Sequence, residues 1–109
     1  MILIFGGAYQ GKLAYAQDRF SGETKIINDF DKWVLELVQT EKNVEEAVRY
    51  FITKNADAVV ICNDISCGVV PVDAVQRKWR EAVGRSMAAL AEASDEVIRL
   101  FCGIPTRVK

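Results

Sequence analysis

The stretch that decides the fold is residues 6–13, which read Gly-Gly-Ala-Tyr-Gln-Gly-Lys-Leu. It fits the pattern G-x-x-x-x-G-K, follows a short apolar run at residues 2–5 and opens a segment of helical composition at residues 11–20. Glycines in this setting let backbone N–H groups converge on phosphate oxygens, and the amino end of the helix favours an anion. The predicted phosphate-binding residues are Gly6, Gly7, Ala8, Tyr9, Gln10, Gly11, Lys12 and Leu13.

The last two residues of this stretch differ in how well they suit that chemistry. A lysine at this point can reach the terminal phosphates of a nucleotide, so Lys12 is the first candidate for a catalytic role. The next residue of such a loop normally places a hydroxyl on Mg²⁺, and Leu13 has no oxygen to offer. A plain strand-to-helix turn that binds nothing therefore stays open as the alternative.

Apolar patterning beyond the loop alternates between strands and helices. Predicted strands lie at residues 2–5, 24–28, 58–62 and 96–102, the last one before a basic tail. Predicted helices lie at residues 11–20, 33–38, 44–52 and 72–93, with Asn43 as a cap and Asn55 as an end signal. This alternation favours one α/β domain over residues 1–109, with a mostly parallel sheet of about four strands covered on both faces.

Composition excludes several classes of protein. Half of the 109 residues are apolar and 27% are charged, a balance that excludes a disordered tail. Fourteen basic against fifteen acidic side chains leave a formal charge of −1, so no overall basic field attracts nucleic acid or an anionic membrane. The longest apolar stretches are far shorter than the roughly 20 residues that span a bilayer. We therefore expect a cytoplasmic protein that binds neither nucleic acid nor membrane.

Two residue types limit the chemistry further. The chain contains no histidine, which excludes Ser-His-Asp triads, His-ligated zinc and phosphoryl or nucleotidyl intermediates on histidine. The three cysteines, Cys62, Cys67 and Cys102, are odd in number and form no C-x-x-C pair. This pattern predicts reduced thiols that serve in packing.

Four blocks of the sequence, taken in order, resemble one family. They are ILIFGGAYQGK (residues 2–12), IINDFDKW (residues 26–33), NDISCGVVPVDAVQRKWREAVGR (residues 63–85) and SDEVIRLFCGIPTRVK (residues 94–109). The chain is similar over nearly its whole length to the bifunctional adenosylcobinamide kinase/adenosylcobinamide-phosphate guanylyltransferase family of cobalamin biosynthesis. The resemblance implies a reduced, RecA-like P-loop NTPase sandwich of three layers. It also implies GTP or ATP as cofactor with Mg²⁺, a corrinoid substrate and a homo-oligomeric enzyme.

The chain departs from the family pattern at positions that carry the family's chemistry. The family has a long segment between the loop helix and the next motif strand, including the histidine that accepts the guanylyl group, and only residues 13–27 stand there in this chain. Asn28 stands where the family has a Mg²⁺-binding aspartate, and Met87 and Ala88 replace an Asn-Gln pair. We therefore expect guanylyl transfer to be absent, phosphoryl transfer to be impaired and Mg²⁺ to contribute little to nucleotide binding.

Aspartates supply the candidate acids of the site. Asp64, which shortens the family's glutamate, follows a buried strand at the end of the sheet where ligands of open α/β proteins bind, and it is a candidate catalytic residue. Asp29 is adjacent to Asn28 and is the candidate metal ligand. The alternative interpretation is that Asp29 or Asp31 caps the following helix.

Other conspicuous residues have structural interpretations that we favour. Arg77, Lys78, Arg80 and Arg85 lie on one predicted helix and are expected to form a solvated basic face rather than phosphate contacts. The apolar face of that helix is expected to comprise Val75, Trp79, Ala82, Val83 and Leu90. Trp33 and Trp79 are expected in the core rather than as platforms for stacking bases.

Two functions of different classes remain open from the sequence. The first is a reduced, kinase-like nucleotide binder in which Lys12 holds phosphates and Asp64 or Asp29 serves a metal or a proton. The second is a non-catalytic binding or assembly module that retains the loop and the core.

Overall fold

Short runs of buried apolar residues form the strands at the centre of the molecule. The computed structural model describes residues 1–20, 22, 24–65 and 73–109. The strands in this part of the chain are β1 (Ile2–Gly6), β2 (Ile26–Ile27), β3 (Val59–Asn63), β4 (Glu96–Phe101) and β5 (Ile104–Arg107). The helices are α1 (Lys12–Arg19), α2 (Phe30–Gln39), α3 (Val44–Lys54) and α4 (Ala74–Ala93).

The strands form one sheet in the order β2-β3-β1-β4-β5. β1 lies at the centre, parallel to β3 on one side and to β4 on the other, and β2 extends the parallel sheet beyond β3. Residues 59–62 of β3 are all buried, as expected for a parallel strand covered on both faces. The predicted α/β fold with a mostly parallel sheet is confirmed.

Helices cover both faces of this sheet and so produce three layers. Because successive strand residues point to opposite faces, each central strand contributes to two cores. The core on the α1 side contains Ile4, Ala16, Val59, Ile61, Ile98 and Leu100. The core on the side of α2, α3 and α4 contains Met1, Leu3, Phe30, Val34, Val48, Val60, Cys62, Val83, Leu90 and Val97. The end of β1 therefore lies between two packed layers, which fixes the position of the loop that follows it.

The carboxyl-terminal residues form a strand where the sequence indicated a basic tail. β5 runs antiparallel to β4, and the two-residue turn Cys102-Gly103 joins them. Both turn residues have positive φ, 52° and 74°, as in a type I′ hairpin turn. Pro105 lacks an amide hydrogen and is tolerated because β5 is an edge strand. The sheet thus has one strand more than the expected four, because a Cys-Gly turn and a proline-containing strand carry weak sequence signals.

Helix boundaries agree with the predicted ones where a cap defines them. The Asn43 side chain accepts a hydrogen bond from the N–H of Glu46 at 3.1 Å, so Asn43 caps α3 as predicted, and Asn55 follows the last turn of that helix. The Asp73 side chain caps α4 by accepting from two N–H groups of its first turn at 2.8 and 3.1 Å. Helix α4 therefore begins at Ala74, two residues after the predicted start.

Three expectations need correction or fall outside the described residues. β2 comprises residues 26–27 only, shorter than the predicted residues 24–28. Val75 is 43% exposed because the first turn of α4 precedes the buried part of that helix, which begins at Val83. Most of the predicted loop at residues 63–71, together with Cys67 and Ser21, lies outside the described part of the chain.

Among the described helices, none has both the length and the apolar character to cross a bilayer.

Candidate functional site

Gly6 ends β1 at a point that has no room for a side chain. A Cβ placed on Gly6 would lie 2.3 Å from the carbonyl oxygen of Leu100 in β4. This separation is far below any van der Waals contact, so only glycine lets the chain pass the neighbouring strand here. The first glycine of the loop is therefore required by packing.

The amino end of α1 opens towards the loop. Gly11 precedes the helix in the left-handed conformation, with φ 80°, and it provides no side-chain cap. The first turn of α1 contains no acidic residue. The first N–H groups of a helix have no partner within it, and the helix dipole there is positive. This helix end therefore suits an anion, as the sequence pattern predicts.

The side chain of Lys12 folds back into the loop. Its Nζ donates a hydrogen bond to the carbonyl oxygen of Gly7 at 2.6 Å, and the residue is only 6% exposed. Burial lowers the pKa of Lys12, while Asp31, Cys62 and Asp29 act in the opposite direction. A lysine ammonium has three donors, and the bond to Gly7 uses one of them. Lys12 therefore places a buried cation inside the loop.

Asp31 is a buried carboxylate on the first turn of α2 that contacts the end of β3. It is 3% exposed, and its side chain accepts hydrogen bonds from the backbone N–H of Asn63 at 3.2 Å and from Asn63 Nδ2 at 3.4 Å. The Trp79 indole N–H donates to the Asp31 carbonyl oxygen at 2.7 Å. Asp31 thus connects the start of α2 with the end of β3 and with α4, and it does not cap its own helix.

Asp64 lies directly after β3, beside the start of the loop. Its backbone N–H donates to the carbonyl oxygen of Gly6 at 2.8 Å. Asn63 pairs with Gly6 across the ladder between β1 and β3. The structure therefore brings Asp64 to the carboxyl end of the sheet next to the loop, as the sequence predicts, and its catalytic role stays a prediction.

Asp29 occupies the position before α2 without capping that helix. Its φ is 58°, its side chain makes no cap hydrogen bond, and its carboxylate pairs with Lys32 at 3.5 Å. The cap interpretation of both Asp29 and Asp31 is therefore wrong at the level of the side chains. Among the described residues, no group of Cys, Asp or Glu side chains is arranged to hold a metal ion. The assignment of Asp29 as a metal ligand stays a prediction.

The turn between β4 and β5 contacts the loop on the side opposite the end of β3. Gln10 Oε1 accepts a hydrogen bond from the backbone N–H of Cys102 at 2.5 Å. Because Phe5 pairs with Arg99, β4 continues beyond the level at which β1 ends. The exposed side chains of Phe101 and Ile104 are opposite each other in this hairpin. The loop therefore lies between the end of β3 and the β4–β5 turn.

Two cysteines are described, and they have different surroundings. Cys62 is buried in β3, and burial raises the pKa of its thiol, so it serves in packing as predicted. Cys102 is exposed at the hairpin turn, so the packing interpretation is wrong for this residue.

The tryptophans of α2 and α4 pack in the core, and Arg85 of α4 lies on the surface. Trp33 and Trp79 are partly buried against the larger core, as predicted. Arg85 is exposed and pairs with Glu81 of the same helix at 2.6 Å. These contacts support the interpretation of core tryptophans and, at Arg85, of a solvated charged face.

Sequence reasoning missed two contacts of the site. The contact between Asn63 and Asp31 joins residues 32 positions apart, and the contact between Gln10 and Cys102 joins residues 92 positions apart. The local sequence around Asp31 resembles that of a helix cap, so no local signal distinguishes its actual role.

The fold and the loop together define the class of the protein. A glycine-rich loop with a buried lysine connects the central strand of a mostly parallel, three-layer sheet to the following helix, which is a reduced P-loop fold. Residues 23–108 match the family described as Cobinamide kinase / cobinamide phosphate guanyltransferase. The chain belongs to this family.

A comparison with one relative shows how much of that relative's length this chain matches. The chain is 28% identical over 86 residues to the bifunctional adenosylcobalamin biosynthesis protein CobU of Salmonella typhimurium (strain LT2). The matched region covers 75% of this chain and 46% of the relative, so the chain spans about half the length of that relative. The family match begins at residue 23, after the loop. The assignment of the loop therefore rests on its own pattern and geometry.

Proposed function

We propose that residues 6–13 bind the phosphates of ATP or GTP, and that the chain is a cobinamide kinase-like protein with impaired phosphoryl transfer. The observation that carries the proposal is the buried ammonium of Lys12 inside a loop that also holds the open amino end of α1. The ammonium attracts anions by its charge, and the helix end attracts them through its N–H groups and dipole.

A polyphosphate in the loop would compete with the Gly7 carbonyl for Lys12. A hydrogen bond between an ammonium and a phosphate oxygen joins two ions and is stronger than one to a neutral carbonyl. Lys12 would therefore turn from Gly7 to the ligand.

The residues at the family's usual metal positions do not fit a directly coordinated Mg²⁺. When bound, Mg²⁺ neutralises charge on the phosphate oxygens during transfer. Leu13 has no donor, Asn28 offers a neutral amide, and Asp29 pairs with Lys32. We therefore expect the metal to remain with the nucleotide. We expect phosphoryl transfer to be impaired because of these same departures and because this single domain lacks the family's long segment.

Guanylyl transfer through histidine is absent from this proposal because the chain contains no histidine. Incubation with α-labelled GTP, followed by a denaturing gel, should show no acid-labile label on the chain. An acid-labile, alkali-stable adduct would contradict this expectation unless mass spectrometry located it on a lysine.

A second candidate function is a non-catalytic binding or assembly module. The observation in its favour is that Leu13 and Asn28 stand where the family's metal-associated side chains are expected. The kinase-like candidate includes a corrinoid substrate and a homo-oligomer, in keeping with the family. Incubation with cobinamide and ATP or GTP separates the two functions. Cobinamide phosphate formed above the level of a Lys12→Ala control supports the kinase, and nucleotide binding without product supports the module.

Thermal shift measurements test the binding proposal. A ligand that binds the folded state raises its stability by RT ln(1 + [L]/Kd), so the shift reports affinity. We expect ATP and GTP to give similar shifts with Mg²⁺ and with EDTA. Lys12→Ala should abolish these shifts, and the exposed lysine variant Lys32→Ala should retain them.

Two results would contradict parts of this proposal. A shift that requires Mg²⁺ and is lost in Asp29→Ala or Asp64→Ala would indicate a rebuilt metal site and a working kinase. No shift under any condition would favour a plain turn that binds nothing.

A further inference from the structure

A cavity lies between helix α4 and the segment that runs from the end of α2 into α3, and we call it the α3–α4 groove. Its volume is about 790 Å³, within the range of roughly 300–1,000 Å³ that is common for small-molecule sites. The residues that line it fall within 38–49 and 78–89, and none of them belongs to the loop at residues 6–13. The groove is therefore separate from the proposed phosphate site.

Apolar side chains form most of the floor of the α3–α4 groove. They are Val38, Val44, Val48, Ala82 and Ala89. Val48 belongs to the buried core of the molecule, and the other four are partly buried against that core. Covering apolar surface of this kind with an apolar group is favourable, because it removes that surface from water. The floor therefore suits the apolar part of a ligand.

Ser86 supplies a polar group within this apolar floor. It is 5% exposed, it lines the groove, and its hydroxyl makes no hydrogen bond to another described residue. Ser94, at the end of the same helix, behaves differently, because its hydroxyl donates to the carbonyl oxygen of Leu90 at 2.6 Å. Buried polar groups are normally hydrogen-bonded. The Ser86 hydroxyl is therefore available to a polar atom inside the groove.

Charged side chains surround the groove, with four basic residues against three acidic ones. Four of the seven form ion pairs within their own helix, namely Glu45 with Arg49 at 3.5 Å and Glu81 with Arg85 at 2.6 Å. Lys42, Lys78 and Glu41 also line the groove, and they make no ion pair with another described residue. The unpaired charges thus comprise two cations and one anion, so the rim favours a ligand with negative charge.

We propose that the α3–α4 groove binds a small organic acid with an apolar body. The body covers the valines and alanines of the floor, an acceptor atom receives the Ser86 hydroxyl, and the acid group lies at the rim with Lys42 and Lys78. Fourteen residues line the groove, whereas a stable protein interface engages roughly 20–30 residues a side. The occupant is therefore a small molecule. This site does not depend on the proposed function of the loop.

The first experiment measures binding of anilinonaphthalene sulfonate, an aromatic acid, by calorimetry. We expect one molecule to bind each chain of the wild type, and an excess of inorganic tripolyphosphate should not displace it. Binding of several molecules, absence of binding, or displacement by tripolyphosphate would each overturn the proposal. Displacement would place the acid in the loop instead, so this result also separates the two sites.

A pair of neighbouring alanines on α4 tests where the acid binds. Ala89 lines the groove, whereas Ala88 is exposed and does not line it. Ala89→Trp fills the groove and should weaken binding by about tenfold or more. Ala88→Trp makes the same change outside the groove and should leave binding unchanged. Circular dichroism checks that both variants are folded, and equal affinities in the two would overturn the proposal.

A second pair of variants tests the charge of the ligand without altering the floor. The double variant Lys42→Gln/Lys78→Gln should bind anilinonaphthalene sulfonate about fivefold more weakly, because two exposed cations are lost. It should bind phenylnaphthylamine, the same aromatic body without the sulfonate, as the wild type does. Lys25→Gln/Lys32→Gln removes two exposed lysines outside the groove and is the control.

The outcomes of these measurements decide between three occupants of the groove. Equal losses in the two double variants, or equal losses for the acid and its neutral analogue, would overturn the preference for an anion. A second copy of the chain would compete with the acid, so its apparent affinity would fall as protein concentration rises and a dimer would sediment in the ultracentrifuge. That result would also overturn the proposal. The expected result is a constant affinity and a sedimentation profile that the acid does not change.

Discussion

At the residue scale, members of one sequence motif have different tasks. Gly6 is needed because the carbonyl oxygen of Leu100 occupies the place of a side chain, whereas Gly7 has space around it. Gly11 takes a left-handed conformation that a residue with a side chain adopts at a cost of about 1–2 kcal/mol. Lys12 alone brings charge. The glycines shape the loop, and the lysine carries its charge.

Gly6→Ala should strongly destabilise the fold, because the new methyl carbon would lie 2.3 Å from Leu100. We expect a loss of roughly 2–4 kcal/mol in the free energy of unfolding, in the range of a severe steric substitution. Urea denaturation followed by circular dichroism measures it. Gly7→Ala is the matched control, because its Cβ would meet Gln10 at 3.8 Å, an ordinary contact. Equal losses in the two variants would show that the close approach to β4 is not responsible.

At the element scale, the ends of helices show which aspartates stabilise structure locally. Asp73 and Asp29 both precede a helix, but only the Asp73 side chain accepts hydrogen bonds from the helix that follows it. Asp29 has φ 58° and pairs with Lys32 instead. The same residue type at the same position therefore serves different purposes in α2 and α4.

Asp73→Ala should lower the free energy of unfolding by about 1 kcal/mol, because two N–H groups of α4 lose their acceptor. Asp29→Ala should change it by less than about 0.5 kcal/mol, as expected for an exposed ion pair. Thermal and urea denaturation of both variants test the difference. A larger loss in Asp29→Ala than in Asp73→Ala would mean that Asp29 is the structural cap after all.

At the scale of the whole molecule, the sheet is strongest at its centre and weakest at its last strand. β1 is paired on both sides and buried by helices on both faces, while all four residues of β5 are exposed. A partly exposed ion pair attaches α1 to β4, because Arg19 contacts Glu96 at 2.6 Å. Local stability should therefore decrease from β1 towards β5.

Hydrogen exchange measured by mass spectrometry should show this gradient. Amides of β1 and β3 should exchange slowest, because they open only with most of the molecule, and amides of β5 should exchange early. If the amides of β5 were protected from exchange as well as those of β1, the expected decrease in local stability from β1 to β5 would be contradicted. If that protection rose with protein concentration, it would instead indicate that another copy of the chain covers β5.

The sequence by itself determined the parts of this protein that depend on neighbouring residues. Continuous apolar runs predicted β1 and β3, Asn43 predicted the start of α3, and residues 6–13 predicted a glycine-containing loop between a strand and a helix. The absence of histidine excluded an entire chemistry without any structure. These features are readable because strand and helix periodicity, caps and turns are local.

Only the tertiary structure decided which distant residues meet at the loop. The approach of Leu100 to Gly6, the contact of Gln10 with Cys102 and the contact of Asn63 with Asp31 all join segments far apart in the chain. Sequence patterns indicate which way a side chain faces within its own element, but they do not indicate which element packs against it. Burial of an ionic side chain is a property of that packing, so the surroundings of Lys12 follow from the assembled sheet and helices and not from the motif that contains it.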